Sequence, residues 1–213
     1  NDPEIYAERK ALGAALANDV LELIKEDHDR AVFSYIPNTA EVAWYGLMEE
    51  LRRRRRVQVR NKLAEALRAG NLDEAAIDRL VLGGWPRGEK VAHKDVKLRT
   101  FISQEKNRMQ MASHVYDISY GTVREGDTLV CVDDSIVRGT TTQALVAMLR
   151  DAGAREVHLR ISSPPFAWPC FYGIDTPTRE ELLASRHSIK EMRSFIGADS
   201  LEFISMENLR SAI

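Results

Sequence analysis

Residues 128–142 read Thr-Leu-Val-Cys-Val-Asp-Asp-Ser-Ile-Val-Arg-Gly-Thr-Thr-Thr. The first five form a near-continuous apolar run, the pattern of a central strand buried on both faces of a parallel sheet. Gly126-Asp127 supplies the turn before them, residues 143–150 read as a helix that stops at Gly153, and residues 156–161 read as the next strand. Strand, helix and strand in succession predict a parallel α/β sheet. In open sheets of that kind ligands bind beyond the C-terminal strand ends, and the first strand delivers Asp133 and Asp134 there. A glycine and several hydroxyls then lead into the helix. Its free backbone N–H groups, with the helix dipole behind them, suit a phosphate. Gly139 permits close backbone approach. Two carboxylates beside such a loop suit sugar hydroxyls or a divalent cation. Plain capping of the helix by these short polar residues is a second reading of the same pattern.

Working outward, Leu12, Leu16, Val20, Leu23 and Ile24 recur at helical spacing within residues 4–27, which predicts one amphipathic helix. Residues 31–36 read as a buried strand ending at Pro37. A helix is expected over residues 44–69, stopped by Gly70-Asn71, and another over residues 73–82, stopped by Gly83-Gly84. Residues 98–103 alternate as a strand would, whereas residues 104–121 show no clean period and read as a loop with fragments of order. Thr178-x-x-Glu181 and Ser188-x-x-Glu191 have the form of capping boxes.

Composition narrows the class. The 213 residues carry 30 Lys and Arg against 32 Asp and Glu, a net charge of −2, without the basic excess of a protein that coats nucleic acid. With 44% hydrophobic and 29% charged residues, a sizeable core is expected and disorder is not. One large domain, or one domain with an insertion, fits the length. No apolar run approaches the roughly 20 residues that span a bilayer, so no membrane contact is expected. Two cysteines, Cys131 and Cys170, make no disulfide framework and fit a reducing cytoplasm. The start, Asn1-Asp2-Pro3, with no initiator Met or signal peptide, is what a piece of a longer chain would show. The sharpest local feature is the run of five arginines at positions 52–56, within a stretch, residues 52–68, that holds eight basic side chains and the single acid Glu65. Consecutive helical residues turn about 100° each, so the arginines cannot share a face. Most are expected in solvent or paired with Glu49 and Glu50.

The string from Val132 to Thr141 resembles the phosphoribosyl pyrophosphate (PRPP) motif of the type I phosphoribosyltransferases. Its wording is most similar to the glutamine-dependent amidophosphoribosyltransferases. Arg99-Thr-Phe-Ile102, Ile161-Ser-Ser-Pro-Pro165, Pro169-Cys-Phe-Tyr-Gly-Ile-Asp-Thr176 and Ile196-Gly-Ala-Asp-Ser200 carry the narrower likeness. It is strong over residues 127–210, patchy over 93–126 and weak before that. The resemblance implies an α/β type I phosphoribosyltransferase fold, with a central parallel sheet of about five strands flanked by helices. Residues 1–213 would form that domain, with residues 47–84 a helical, arginine-rich insertion.

The same resemblance implies transfer of ammonia to PRPP, giving phosphoribosylamine and pyrophosphate. Asp133 and Asp134 would hold the ribose hydroxyls and help bind magnesium. Ser135, Arg138, Gly139, Thr140, Thr141 and Thr142 would cradle the 5-phosphate. Pro37-Asn38-Thr39 occupies the place of the pyrophosphate loop, with Thr39 as a metal ligand and Asn38 where the family has an acid. Arg99, as a catalytic group, and Lys94 would contact pyrophosphate; Lys97, Lys106 and Arg108 lie near. The family's Arg-x-Lys-Leu element is replaced by His114-Val115-Tyr116-Asp117. Ammonia would come from glutamine through a glutaminase domain that neither cysteine can supply here. Cys170 stands where some members bind a four-iron cluster, and a buried structural cysteine is the alternative. Purine nucleotide inhibition and a homo-oligomer are further implications; nucleic acid is not a partner. Trp168 is expected to pack, and His93, His114, His158 and His187 show no metal spacing. Two rivals stay open, a nucleobase phosphoribosyltransferase and a non-catalytic PRPP- or nucleotide-binding regulator.

Overall fold

The computed structural model describes residues 2–25, 27–94, 116–170 and 178–213. Asp2 caps the first helix, α1 (Pro3–Ala15), by accepting the Glu4 N–H at 2.9 Å. The single helix expected over residues 4–27 is in fact two, because α2 (Ala17–Ile24) starts anew after Leu16, whose N–H bonds back to Gly13. The cause lies in a third helix, α3 (Glu41–Arg68). A Cβ on Gly13 would sit 1.7 Å from the Ala43 carbonyl oxygen, and one on Gly46 would sit 1.8 Å from that of Lys10. Backbones this close fix the path of α1, and the break turns Val20 and Ile24 of α2 into the core beside the sheet.

The chain then forms β1 (Ala31–Tyr35), α3, α4 (Glu74–Leu82), β2 (Arg87–Gly88), β3 (Ala92–Lys94) and β4 (Tyr116–Ile118). It continues through β5 (Thr128–Asp133), α5 (Thr140–Asp151), β6 (Glu156–Ile161), α6 (Leu183–Arg186), α7 (Ile189–Ile196), β7 (Ser200–Phe203) and α8 (Met206–Ala212). Five strands make one all-parallel sheet in the order β2-β1-β5-β6-β7. Strands β3 and β4 pair antiparallel as a separate ribbon, β4 being a short ordered piece within the expected loop of residues 104–121. Three-residue strands are too short to show alternation. One core layer packs Leu145 and Leu149 of α5 against Leu129, Cys131 and Leu159. The other packs Leu47, Met48 and Leu51 of α3 against Phe33, Val130 and Val132. Helices therefore cover both faces, as a buried parallel sheet requires.

The arginine run lies on α3. Arg53 and Arg54 both bond Glu50, each at 2.7 Å from Nε, and Arg54 reaches Asn18. Glu49 pairs with Lys10 instead of an arginine. Arg55 is the exception to a solvated run. It is buried, and one of its terminal nitrogens donates to the carbonyls of Gly83 at 2.7 Å and Leu80 at 3.2 Å. That pins the C-terminal end of α4 to α3 where free helix carbonyls need donors. Leu47, Leu51 and Val59 of the same helix are buried. Of the two expected capping boxes, Ser188 and Glu191 form one. Thr178 does not, because Glu181 is bonded elsewhere, to Arg138. Among the described residues, no helix is long and apolar enough to cross a membrane.

Candidate functional site

The sheet order locates the site. From β1 the chain crosses to β2 on one side, and from β5 it crosses to β6 on the other. Loops leaving adjacent strands in opposite directions open a crevice at their C-terminal ends, the switch point where ligands bind in such sheets. The loop after β1 carries Pro37, Asn38 and Thr39; the loop after β5 carries residues 134–139. Both sequence-predicted motifs therefore meet at one edge. Their helices, α3 and α5, approach from opposite faces, each with its N-terminus toward that edge.

Asp133 ends β5 in register with Ile161 of β6, and its backbone carbonyl accepts from Ser162 N–H at 2.9 Å and Ser162 Oγ at 3.2 Å. Its carboxylate accepts the Asp134 N–H at 2.8 Å. Burial, and next the adjacent Asp134 charge, push the Asp133 carboxyl well above the usual carboxylate range, while Lys94 pulls it back. A carboxylate held so far out of water gains from a cation or hydroxyl donor. Lys94 is thus brought to the same site, its ammonium also 5.3 Å from the Tyr116 ring centroid.

Gly139 has φ +78, and a Cβ there would lie 2.6 Å from Leu183 Cδ2, so only glycine fits the turn into α5 without strain. Gln143 N–H bonds to the Gly139 carbonyl at 2.8 Å, the first helical rung. No side chain among the described residues caps α5, which leaves its first N–H groups for a ligand. Thr142 is buried, while Thr140 and Thr141 are accessible, as is Ser135 in part. Arg138 Nε is held by Glu181 at 2.7 Å, with both side chains about 38% exposed. The guanidinium stays reachable from solvent despite that bond. Asn38 and Thr39 are exposed beyond buried Pro37, across a cis Pro37–Asn38 peptide.

Sequence reasoning missed Glu181, Ser162 and Glu41. Glu181 was masked by its place in a capping pattern. Ser162 and Ser163 were visible only as a short motif. Glu41 accepts from Tyr35 Oη at 2.8 Å and Tyr45 Oη at 3.1 Å, and only the four-residue step from Glu41 to Tyr45 hinted at it. Trp168, expected to pack, is 64% exposed, with the Arg179 guanidinium 3.7 Å from its ring centroid. Cys170 is partly exposed rather than buried. Arg99, the strand expected at 98–103, Lys97, Lys106, Arg108, His114 and residues 171–176 lie outside the described residues.

No family model matches the chain. An amidophosphoribosyltransferase of Bacillus subtilis is 54% identical over 115 residues, which are 54% of this chain and 24% of that protein. One from Methanothermobacter thermautotrophicus is 42% identical over 139 residues, 65% of this chain and 29% of that protein. The solved glutamine PRPP amidotransferase of B. subtilis, complexed with ADP and GMP, matches with a TM-score of 0.68 at 36% identity. The match covers 98% of this chain and 37% of that one. The chain is homologous to amidophosphoribosyltransferases. Its architecture is the type I phosphoribosyltransferase fold. A solved structure described as the allosteric regulatory enzyme of purine biosynthesis agrees, with a TM-score of 0.67 at 38% identity over 98% of this chain and 37% of that one. The chain spans about a quarter of the length of the curated amidophosphoribosyltransferases it matches.

Proposed function

We propose that the crevice between the β1 and β5 loops binds PRPP and supports its displacement by ammonia, the step that opens purine synthesis. The observation that carries this reading is the buried Asp133 at the switch point, beside an uncapped helix N-terminus. The α5 N-terminus, Ser135, Arg138 and the threonines at 140–142 hold the 5-phosphate. Asp133 and Asp134 accept from the ribose hydroxyls. Pro37, Asn38 and Thr39 face the pyrophosphate, with Lys94 and Arg99 supplying positive charge. As pyrophosphate leaves, positive charge grows on the ribose ring and negative charge on the departing oxygens. Fixed carboxylates on one side and cations on the other favour that separation without reorganising. Ammonia needs no base, only exclusion of water.

Magnesium fits the donor set. Among the described residues no cluster of three His, Cys, Asp or Glu could hold a metal alone. A pair of carboxylates suits an ion that keeps substrate oxygens and water as its remaining ligands. Asp133, Asp134 and Thr39 would hold it, and when bound it would neutralise charge on the pyrophosphate oxygens. A four-iron cluster does not fit this chain alone, which has two cysteines. The thiol of Cys131, inside β5, is pushed up to about 12 by burial. Release of ammonia from glutamine, nucleotide inhibition and a homo-oligomer belong to the whole protein and remain part of the proposal, as does the place of residues 47–84 as an addition to the domain.

The test is magnesium-dependent pyrophosphate release from PRPP with ammonium chloride as the second substrate. Turnover supports the reading; turnover only with a purine or pyrimidine base replaces it with nucleobase transfer. Asn38, in the place of an acid, favours one further reading, a PRPP-binding regulator. Tight PRPP binding with no pyrophosphate released would establish that instead.

A further inference from the structure

Three aromatic rings and one carboxylate lie directly behind the pyrophosphate loop. Tyr35 is the last residue of β1, and Glu41 is the first of α3, so the five residues between them are the loop itself. Glu41 spans that loop. Its Oε1 accepts from Tyr35 Oη at 2.8 Å and from Tyr45 Oη, one turn on, at 3.1 Å. Trp44 fills the space between the phenols, its ring 5.1 Å from that of Tyr35 and 5.2 Å from that of Tyr45. Within the loop, the Ile36 N–H bonds to the Val132 carbonyl at 2.9 Å, and the Glu41 N–H meets the Asn38 carbonyl at 3.4 Å. The loop is thus tied to β5 at its start and to Glu41 at its end. Both phenols have raised pKa values. For Tyr35 burial is the larger cause and the Glu41 bond the next; for Tyr45 the Glu41 bond leads. Both therefore stay protonated as donors across the neutral range.

We propose that Glu41 is a positioning residue for pyrophosphate recognition. It touches no substrate. By holding the strand end and the helix start together through Tyr35 and Tyr45, it fixes the exposed Asn38 and Thr39 in the geometry that meets the departing group. The inference rests on the PRPP reading above and adds to it a residue that no motif marks. A carboxylate suits the task because one oxygen can accept two phenols, and charge-assisted bonds are the stronger kind. The 5-phosphate and ribose subsites belong to the other loop, after β5. Loosening Glu41 should therefore damage one half of the substrate site and spare the other.

That asymmetry is the test. Calorimetry on the intact protein with magnesium would measure ribose 5-phosphate, which has no pyrophosphate, and inorganic pyrophosphate separately. Wild-type protein that binds neither would overturn the PRPP reading itself. If both bind, Glu41→Ala and Tyr35→Phe should each weaken pyrophosphate by about tenfold, the worth of one hydrogen bond to a charged group. Ribose 5-phosphate should stay within about twofold, since its loop keeps its contacts. Glu41→Gln, which retains an acceptor oxygen, should recover part of the loss. Equal weakening of both ligands would mean a general structural role, and no change in either would mean no role; each result overturns the inference. Should Glu41→Ala fail to fold, Tyr35→Phe, which removes one hydroxyl, gives the same reading.

Discussion

The loop after β5 and the arginine run on α3 both carry clustered charge, and the fold treats them differently. On α3, Glu50 answers Arg53 and Arg54, and the end of α4 answers Arg55. At the β5 loop, by contrast, Asp133 is buried with only its neighbour Asp134 bonded to its carboxylate among the described residues. The arginines find partners within the helical layer, whereas the Asp133 carboxyl lies at the sheet edge where the proposed ligand would meet it.

Substitutions can break this comparison. The largest effect is expected at Asp133. Asp133→Asn should lower PRPP-dependent pyrophosphate release by at least about 100-fold, the scale of losing one preorganised electrostatic group. Stability should move the other way. The folded carboxyl sits above its unfolded value, so its contribution is fully present below the usual carboxylate range and lost as pH rises through the folded pKa. Where the carboxyl is ionised it is a burden on the fold, so the variant should melt at or above wild type, with the gap closing in acid.

Next comes Arg55→Ala, which leaves the Gly83 and Leu80 carbonyls without their donor. Denaturant titration should show a loss of about 2–3 kcal/mol, with activity per folded molecule retained. Gly139→Ala should cost about 1–2 kcal/mol from its positive φ and the contact with Leu183, and should weaken ribose 5-phosphate as well. Glu50→Gln is expected to be smaller. The Arg53 hydrogen bond leads in holding the Glu50 carboxyl down at about 2. Its stabilisation is therefore present above the ordinary value and lost as pH falls through about 2. Because the arginines are substantially exposed, solvent screening keeps the neutral-pH difference near 1 kcal/mol, and urea midpoints measured at pH 7 and pH 3 should converge. Arg52→Ala and Arg56→Ala, on the solvent side, should stay within about 0.5 kcal/mol.

How much of this was readable depends on sequence distance. Strand β5, its loop and α5 were legible because an apolar run, two carboxylates and a glycine lie within fifteen consecutive residues. The Ser188 box was legible because it closes over three residues. What failed was decided elsewhere in the chain. The break at Leu16 depends on two glycines meeting the backbones of Ala43 and Lys10. Thr178 lost its box partner because Arg138, 43 residues from Glu181, claimed it. Arg55 looked like any arginine in a row because the carbonyls it bonds are 25 and 28 residues away. At the site, both loops were named from sequence, but Glu41 was not, since its meaning appears only once Tyr35 and Tyr45 converge on it.

The most direct measurement is calorimetric titration of magnesium-PRPP into the wild-type protein, Asp133→Asn, and the double variant Arg52→Ala with Arg56→Ala. Wild type and the double variant should bind within about twofold of each other, since exposed charges away from the site contribute little. Asp133→Asn should bind about 100-fold more weakly or not at all, as expected when a buried recognition group loses its charge. Wild-type affinity in Asp133→Asn, or binding lost in the arginine double variant alone, would contradict the assignment of the site to the β5 loop.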